Sequence, residues 1–125
     1  MSTSVKQMLA QANDDVPRVS AEDARKLVEE GALLVDVRDG TEVAASGKLA
    51  GATHVSRGML EFRADSETPY HDANFRKDRA IIVYCASGGR SALAGKALKD
   101  LGYQRVFNLG GFKDAVEAGL SVDVI

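Results

Sequence analysis

The stretch Ala80-Ile81-Ile82-Val83-Tyr84-Cys85-Ala86-Ser87-Gly88-Gly89-Arg90-Ser91 decides how the rest of the chain is read. Ala80 to Tyr84 is apolar or aromatic without polar alternation, the pattern of a strand buried on both faces of a parallel sheet. Two glycines follow, and then Ala92, Leu93, Ala97, Leu98 and Leu101 recur at helical spacing. A strand that feeds a helix through a short glycine-rich loop belongs to an open α/β sheet, where ligands sit at the carboxyl ends of the strands. Cys85, read as the first residue beyond the strand, stands at that end.

The flanking segments repeat the same grammar. Upstream, Ala32 to Val37 is a second short apolar run, ending among the polar Asp36, Arg38 and Asp39. Before it, Ser20 with Asp23 marks the N-cap of a helix running to Glu30, Gly31 stops that helix, and Val16 to Val19 reads as a short edge strand. Thr41 to Ser46 predicts a short helix, Gly47 to Gly51 a turn, Ala52 to Val55 a strand, and Arg57 to Arg63 a helix. Ala64 to Arg79 is polar, contains Pro69, and reads as a long loop, a candidate lid. Downstream, Arg105 to Leu109 predicts a strand and Phe112 to Ala118 a helix. The fold class is therefore α/β, with a mainly parallel central sheet flanked by helices on both faces.

With 125 residues the chain has the size of one domain, and its 45% apolar and 27% charged content is that of a globular protein. Val5, Met8, Leu9 and Ala12 fall on one helical stripe. The expected organisation is a helical extension at residues 1–15 ahead of a domain at 16–125. A net charge of −2, with 16 basic and 18 acidic residues interspersed, argues against a nucleic-acid partner. No apolar run reaches membrane-spanning length and the amino terminus lacks a signal-type core, so the expected location is cytoplasmic, with no membrane partner. One cysteine cannot form an internal disulfide, and with two histidines it cannot supply a structural zinc site, so no metal is expected.

A lone cysteine in a reducing compartment is either a small buried hydrophobe or a reactive thiol, and its neighbours decide between the two. Here Gly88 and Gly89 permit backbone conformations in which successive N–H groups turn inward as an anion nest, and the following helix adds its positive end. In such surroundings a cysteine pKa of roughly 8.5 falls to about 3.5–7.5. Cys85 then serves as a nucleophile at neutral pH. Arg90, in the first helical turn, offers bidentate donors to an arriving sulfonate, phosphate or carboxylate, and Ser91 reads as N-terminal capping or support. Asp36, Arg38 and Glu42 read as supporting residues, with Arg38 paired to Glu42 at the sheet edge. His54, in a strand, and His71, in a loop, are given no acid–base role.

Taken together, these motifs resemble the single-domain rhodanese, or sulfurtransferase, family over about residues 17 to 120. Leu34-Val35-Asp36-Val37-Arg38 with Glu42 is similar to the family's early strand and its arginine–glutamate pair, and Ala50 to Val55 to its next turn and strand. Cys85 to Ser91 resembles its active loop, and Leu109-Gly110-Gly111-Phe112 with Gly119 its closing helix. The resemblance implies that Cys85 takes sulfane sulfur from a donor such as thiosulfate and passes it as a persulfide to cyanide or a thiol. It implies further that the N–H groups of Ala86, Ser87, Gly88, Gly89 and Arg90 hold the anionic sulfur, that Arg90 orients the donor, and that no cofactor is needed. Expected partners are the small donor and acceptor, with a protein sulfur-relay partner compatible with the same chemistry.

Two departures stand out. Gly47-Lys48 replaces the Gly-His of the family's first turn, and Ala86 replaces the arginine that often follows the cysteine, removing one clamp for a sulfonate. Two rivals are weighed. Cysteine phosphatases and arsenate reductases use a similar loop but place one residue more between cysteine and arginine than the four found here. A non-catalytic rhodanese-like binding or sulfur-carrier module is the other, although an inert module has no chemical need for this loop.

Overall fold

The computed structural model describes residues 2–124, so the outermost residue of each expected segment lies outside it. Strands β1 (Leu33–Asp36), β3 (Thr53–His54), β4 (Ile81–Cys85) and β5 (Val106–Gly111) form one parallel sheet in the order β3-β1-β4-β5. Strand β2 (Lys48–Leu49) pairs separately and antiparallel with β6 (Val122–Asp123). Helices α1 (Val5–Asp15), α2 (Ala21–Glu29), α3 (Gly40–Ser46), α4 (Leu60–Ala64), α5 (Gly89–Asp100) and α6 (Phe112–Glu117) complete the chain, with a 3₁₀ turn at Arg57–Met59.

The layers follow from strand alternation. Leu33, Val35, Ile81, Val83 and Cys85 face one way and share a core with Leu60 and Ala64 of α4, Ala94 and Leu98 of α5, and Val16. Leu34, Ile82 and Tyr84 face the other way and pack with Ala24 of α2 and Ala115 of α6. Both faces are covered, which is why the strands read as unbroken apolar runs. Cys85 belongs to the α5 face, and this places its sulfur under the first turn of the helix that follows it.

Helix α1 lies along α5 in the same direction. Leu9 packs near Gly89 at one end, while Lys96 reaches Asp15 at 3.4 Å and Val16 presses on Gly95 at the other. The buried Ala12 faces this contact, and Ser4 opens the helix with a reciprocal capping box to Gln7. Among the described residues no helix is long and apolar enough to cross a membrane.

Four local expectations change. Val16 to Val19 is not a strand but a single bridge, Arg18 opposite Asn108, because Pro17 has no N–H to extend the ladder and contributes only its carbonyl, which accepts from Asn108 N at 2.9 Å. The turn at Gly47–Gly51 contains β2, whose partner β6 lies near the chain end. Cys85 closes β4 instead of following it, opposite Gly111 of β5. The candidate lid runs the wrong way. Its second half is tied to the amino-terminal end of the sheet, where Arg79 Nε donates to Gly31 O at 2.6 Å and Phe75 stacks edge-on against Tyr103.

One long-range hydrogen bond joins the two sheets. The Tyr84 hydroxyl accepts from Leu49 N at 2.9 Å, and burial pushes the phenol's pKa up, so it stays protonated. Tyr84→Phe leaves that buried N–H without a partner. The expected cost is about 1–3 kcal/mol, read as a lower urea midpoint with an unchanged slope; an unchanged midpoint would show that β2 gains nothing from this contact.

Candidate active site

The site is assembled at the carboxyl ends of β1, β4 and β5. Cys85 has no exposed surface, whereas Ala86 and Ser87, at the crest of the loop above it, are exposed. Gly88 turns the chain at φ 104°, a left-handed conformation that side chains rarely adopt, and is the N-cap of α5. That single reversal aims its N–H at Cys85 Sγ, 3.0 Å away. Ser91 N adds a second amide at 3.4 Å, and Ser91 Oγ lies 3.4 Å from the same sulfur. Gly89, by contrast, has an ordinary helical conformation, so only one of the two glycines is needed for the nest.

Burial pushes the Cys85 thiol up, but the contact with the Ser91 side chain and hydrogen bonds from the N–H groups of Ser91, Gly88 and Ser87 outweigh it and hold the thiol below its ordinary value. The arrangement therefore stabilises a thiolate in a dry place with fixed amide dipoles, aided by the amino-terminal end of α5. Ser91 does not cap the helix; it is an inner support for the sulfur, with its own hydroxyl donating to Asn108 Oδ1 at 2.7 Å.

Asn108 was not among the sequence-derived candidates. It is buried on β5, where its Oδ1 also accepts from Gly110 N at 2.9 Å and its Nδ2 donates to Gly88 O at 3.2 Å. Every polar atom of the carboxamide is used, and each bond fixes a residue of the sulfur site or its flank. The available signal was a lone amide inside the apolar run Val106 to Leu109.

The charged candidates divide into two separate pairs. Arg38 does not hold Glu42. It forks onto Asp36, with Nε at 3.0 Å and 3.1 Å and Nη2 at 2.7 Å, and donates further to Ser46 Oγ at 2.8 Å and Gly47 O at 2.7 Å. Its plane also lies over Phe112, 4.2 Å from the ring centre. Asp36 and Arg38 are thus buried and mutually satisfied, away from the loop's sulfur. Glu42 is instead bound by Arg90 in a two-pronged bridge of 2.6 Å and 3.0 Å. The Arg90 hydrogen bond, ahead of the other contributions, draws the Glu42 carboxyl down to about 2. Asp39 lies 4.0 Å from the same guanidinium. Arg90 is consequently engaged with two carboxylates of α3 and its cap, which leaves little of its fork for a donor.

His54 Nε2 lies 2.7 Å from Arg38 O, and His71 Nε2 3.3 Å from Phe75 O. Among the described residues no group of three or more histidines, cysteines or carboxylates is placed to hold a metal ion.

Known proteins share both sequence and shape with this chain. The model of the rhodanese-like domain matches residues 20–118. A sulfurtransferase of Allochromatium vinosum is 39% identical over 82 residues, covering 66% of this chain and 68% of that protein. The thiosulfate sulfurtransferase GlpE of Pseudomonas paraeruginosa is 30% identical over 103 residues, covering 81% and 84% respectively. Among solved structures, a Rhodopseudomonas palustris protein of unknown function, described as a possible tyrosine phosphatase, superposes with a TM-score of 0.89 at 36% identity, covering 98% of this chain and 96% of its own. A human single-domain sulfurtransferase superposes with a TM-score of 0.70 at 27% identity, covering 85% and 99%.

The amide and hydroxyl contacts to Cys85 predict a measurable acidity. In an ultraviolet titration of the thiolate, the fraction ionised is complete above the folded pKa and falls as pH drops through it. Ser91→Ala is expected to move the inflection to higher pH and to slow alkylation by iodoacetamide at neutral pH by about threefold or more. Superimposable titrations would show that the hydroxyl contributes nothing and the amides hold the sulfur alone.

Proposed function

The chain belongs to the rhodanese-like domain family, and from that premise we propose that it is a sulfurtransferase carrying sulfane sulfur on Cys85. The observation that supports this most directly is the convergence of Gly88 N, Ser91 N and Ser91 Oγ on one buried sulfur. In the first half-reaction the Cys85 thiolate attacks the outer sulfur of thiosulfate. The S–S bond of the donor breaks, sulfite leaves with the electron pair, and a Cys85 persulfide anion remains. In the second, cyanide or a thiolate attacks the terminal sulfur, the persulfide bond breaks, and thiocyanate or a new persulfide departs while the Cys85 thiolate is regenerated. Charge balances in both steps and no redox partner is needed.

The loop is suited to this cycle because the reacting group is an anion before, between and after the two transfers. Fixed amide dipoles stabilise it throughout and require no proton transfer. Glu42 and Arg90 tie α3 to the first turn of α5, and Asn108 ties that turn to β5, so the amides keep their direction. On the same proposal the setting is a reducing, cytoplasmic one, which keeps the single thiol free, and a protein thiol can take the acceptor's place.

A phosphatase reading draws on the description of the Rhodopseudomonas palustris neighbour. The loop speaks against it. Only four residues separate Cys85 from Arg90, and the Arg90 fork is already closed on Glu42, where a phosphate would need it.

Intact mass spectrometry separates the readings. After brief incubation with thiosulfate the wild type is expected to gain one sulfur atom, which cyanide then discharges as thiocyanate, while Cys85→Ser gains none. If neither thiosulfate nor glutathione persulfide leaves an adduct, the sulfurtransferase proposal fails. Hydrolysis of an aryl phosphate that depends on Cys85 would then favour the phosphatase.

A further inference from the structure

Arg18 is a charged group that the mechanism above does not use. It sits on the single bridge beside β5, directly after Pro17, and is exposed. Its guanidinium occupies the place where a side chain on Gly110 would stand, and Nη2 is 3.5 Å from Leu109 O. Gly110 is at φ 99°, and a Cβ there would collide with the arginine, so the glycine makes room for it. Nη1 lies 3.9 Å from the position of a Gly88 Cβ, on the same residue whose amide holds the sulfur. The cation is therefore brought to the flank of the loop through space, from a segment 67 residues before Cys85 in a chain numbered 18 and 85.

The two arginines beside the loop differ in what they can still bind. Arg90 is neutralised by Glu42 and Asp39, whereas Arg18 makes no ion pair among the described residues. Its contact to a backbone carbonyl at 3.5 Å is long for a hydrogen bond and leaves the remaining N–H donors of the fork open. A planar, permanently charged donor set at the edge of an anion-binding loop matches a second anionic group on the incoming molecule. Ala86 adds no charge of its own at the crest.

We propose that Arg18 is the donor-binding residue of this site: it holds the sulfonate of thiosulfate, or the carboxylate of another anionic sulfane donor, while the outer sulfur reaches Cys85. This rests on the sulfurtransferase reading. The transfer is the one written above, and Arg18 takes no part in bond making; it holds the end of the donor that leaves as sulfite.

The test compares single-turnover loading of Cys85 by thiosulfate with trapping of the same thiolate by methyl methanethiosulfonate, which is uncharged. In Arg18→Ala the second-order rate constant for thiosulfate is expected to fall on the order of tenfold and to lose much of its dependence on salt, while the trapping rate stays that of the wild type. Arg18→Lys restores part of the thiosulfate rate. Arg105→Ala removes an equal charge at the amino-terminal end of the sheet and leaves the rate unchanged. Wild-type loading that Arg18→Ala does not slow would overturn the assignment alone, as would a parallel fall in thiosulfate loading and trapping, which would place Arg18 in the support of the loop. A wild type that accepts no sulfur from thiosulfate or glutathione persulfide removes the assignment together with the reading beneath it.

Discussion

The carboxamide of Asn108 ties the first turn of α5, through Gly88 and Ser91, to the end of β5 at Gly110. One oxygen receives the Ser91 hydroxyl and the Gly110 amide, and one nitrogen donates to the Gly88 carbonyl. Since Gly88 and Ser91 supply the two amides that point at Cys85, the direction of those dipoles depends on a side chain from the adjacent strand. A buried amide whose oxygen and nitrogen are both engaged is costly to replace, because removing it strands its partners in a dry interior. The register shift between Val83 and Tyr84, where β4 and β5 fall out of step, brings Gly110 and Gly111 beside the last two residues of β4. The sulfur site is thus a product of two neighbouring strands and the helix between them.

A second knot holds the other side. Asp36 and Arg38 carry full charges into the core, where an unpaired ion would be severely destabilising; Asp36 is satisfied by the amide and guanidinium of Arg38, and Arg38 by Asp36, Ser46 Oγ and Gly47 O. The guanidinium closes the gap between the end of β1 and the turn after α3, with Phe112 of α6 beneath it. This leaves Glu42, one turn into α3, facing Arg90. The consequence is a division of labour: one arginine builds the wall, one clasps the helix of the loop, and Arg18 stands unclaimed at the opposite flank.

The parts legible in the linear order were those in which neighbours in sequence are also neighbours in space. The β4 run, the turn at Gly88 and the α5 stripe lie within one continuous unit, so periodicity and glycine placement sufficed to place Cys85 at the sheet's carboxyl edge. The pairing of charges was less accessible. Glu42 has Arg38 four residues away and Arg90 forty-eight away; sequence spacing favours the nearer partner, whereas Arg38 folds back onto Asp36 two residues before it and leaves Glu42 to Arg90. Asn108 and Arg18 are tied to the site only by strand adjacency and a glycine that clears space, neither of which has a local pattern. The short β2 and β6 were hidden for a related reason: two-residue strands pair across most of the chain and carry too few residues to show alternation. The polarity of the long segment before β4 suggests a lid, but the buried Phe75 and the chain's obligation to reach the start of β4 carry it to the far end of the sheet.

Reactive thiols are ordinarily both acidic and open to solvent. Here the two properties are separated. The acidity of Cys85 comes from amides whose protons do not titrate and from the adjoining Ser91 side chain, whereas the cysteine itself has no exposed surface. A thiol that is acidic but covered reacts at a rate composed of an opening equilibrium and a chemical step, so how often the sulfur is met counts as much as how readily it ionises.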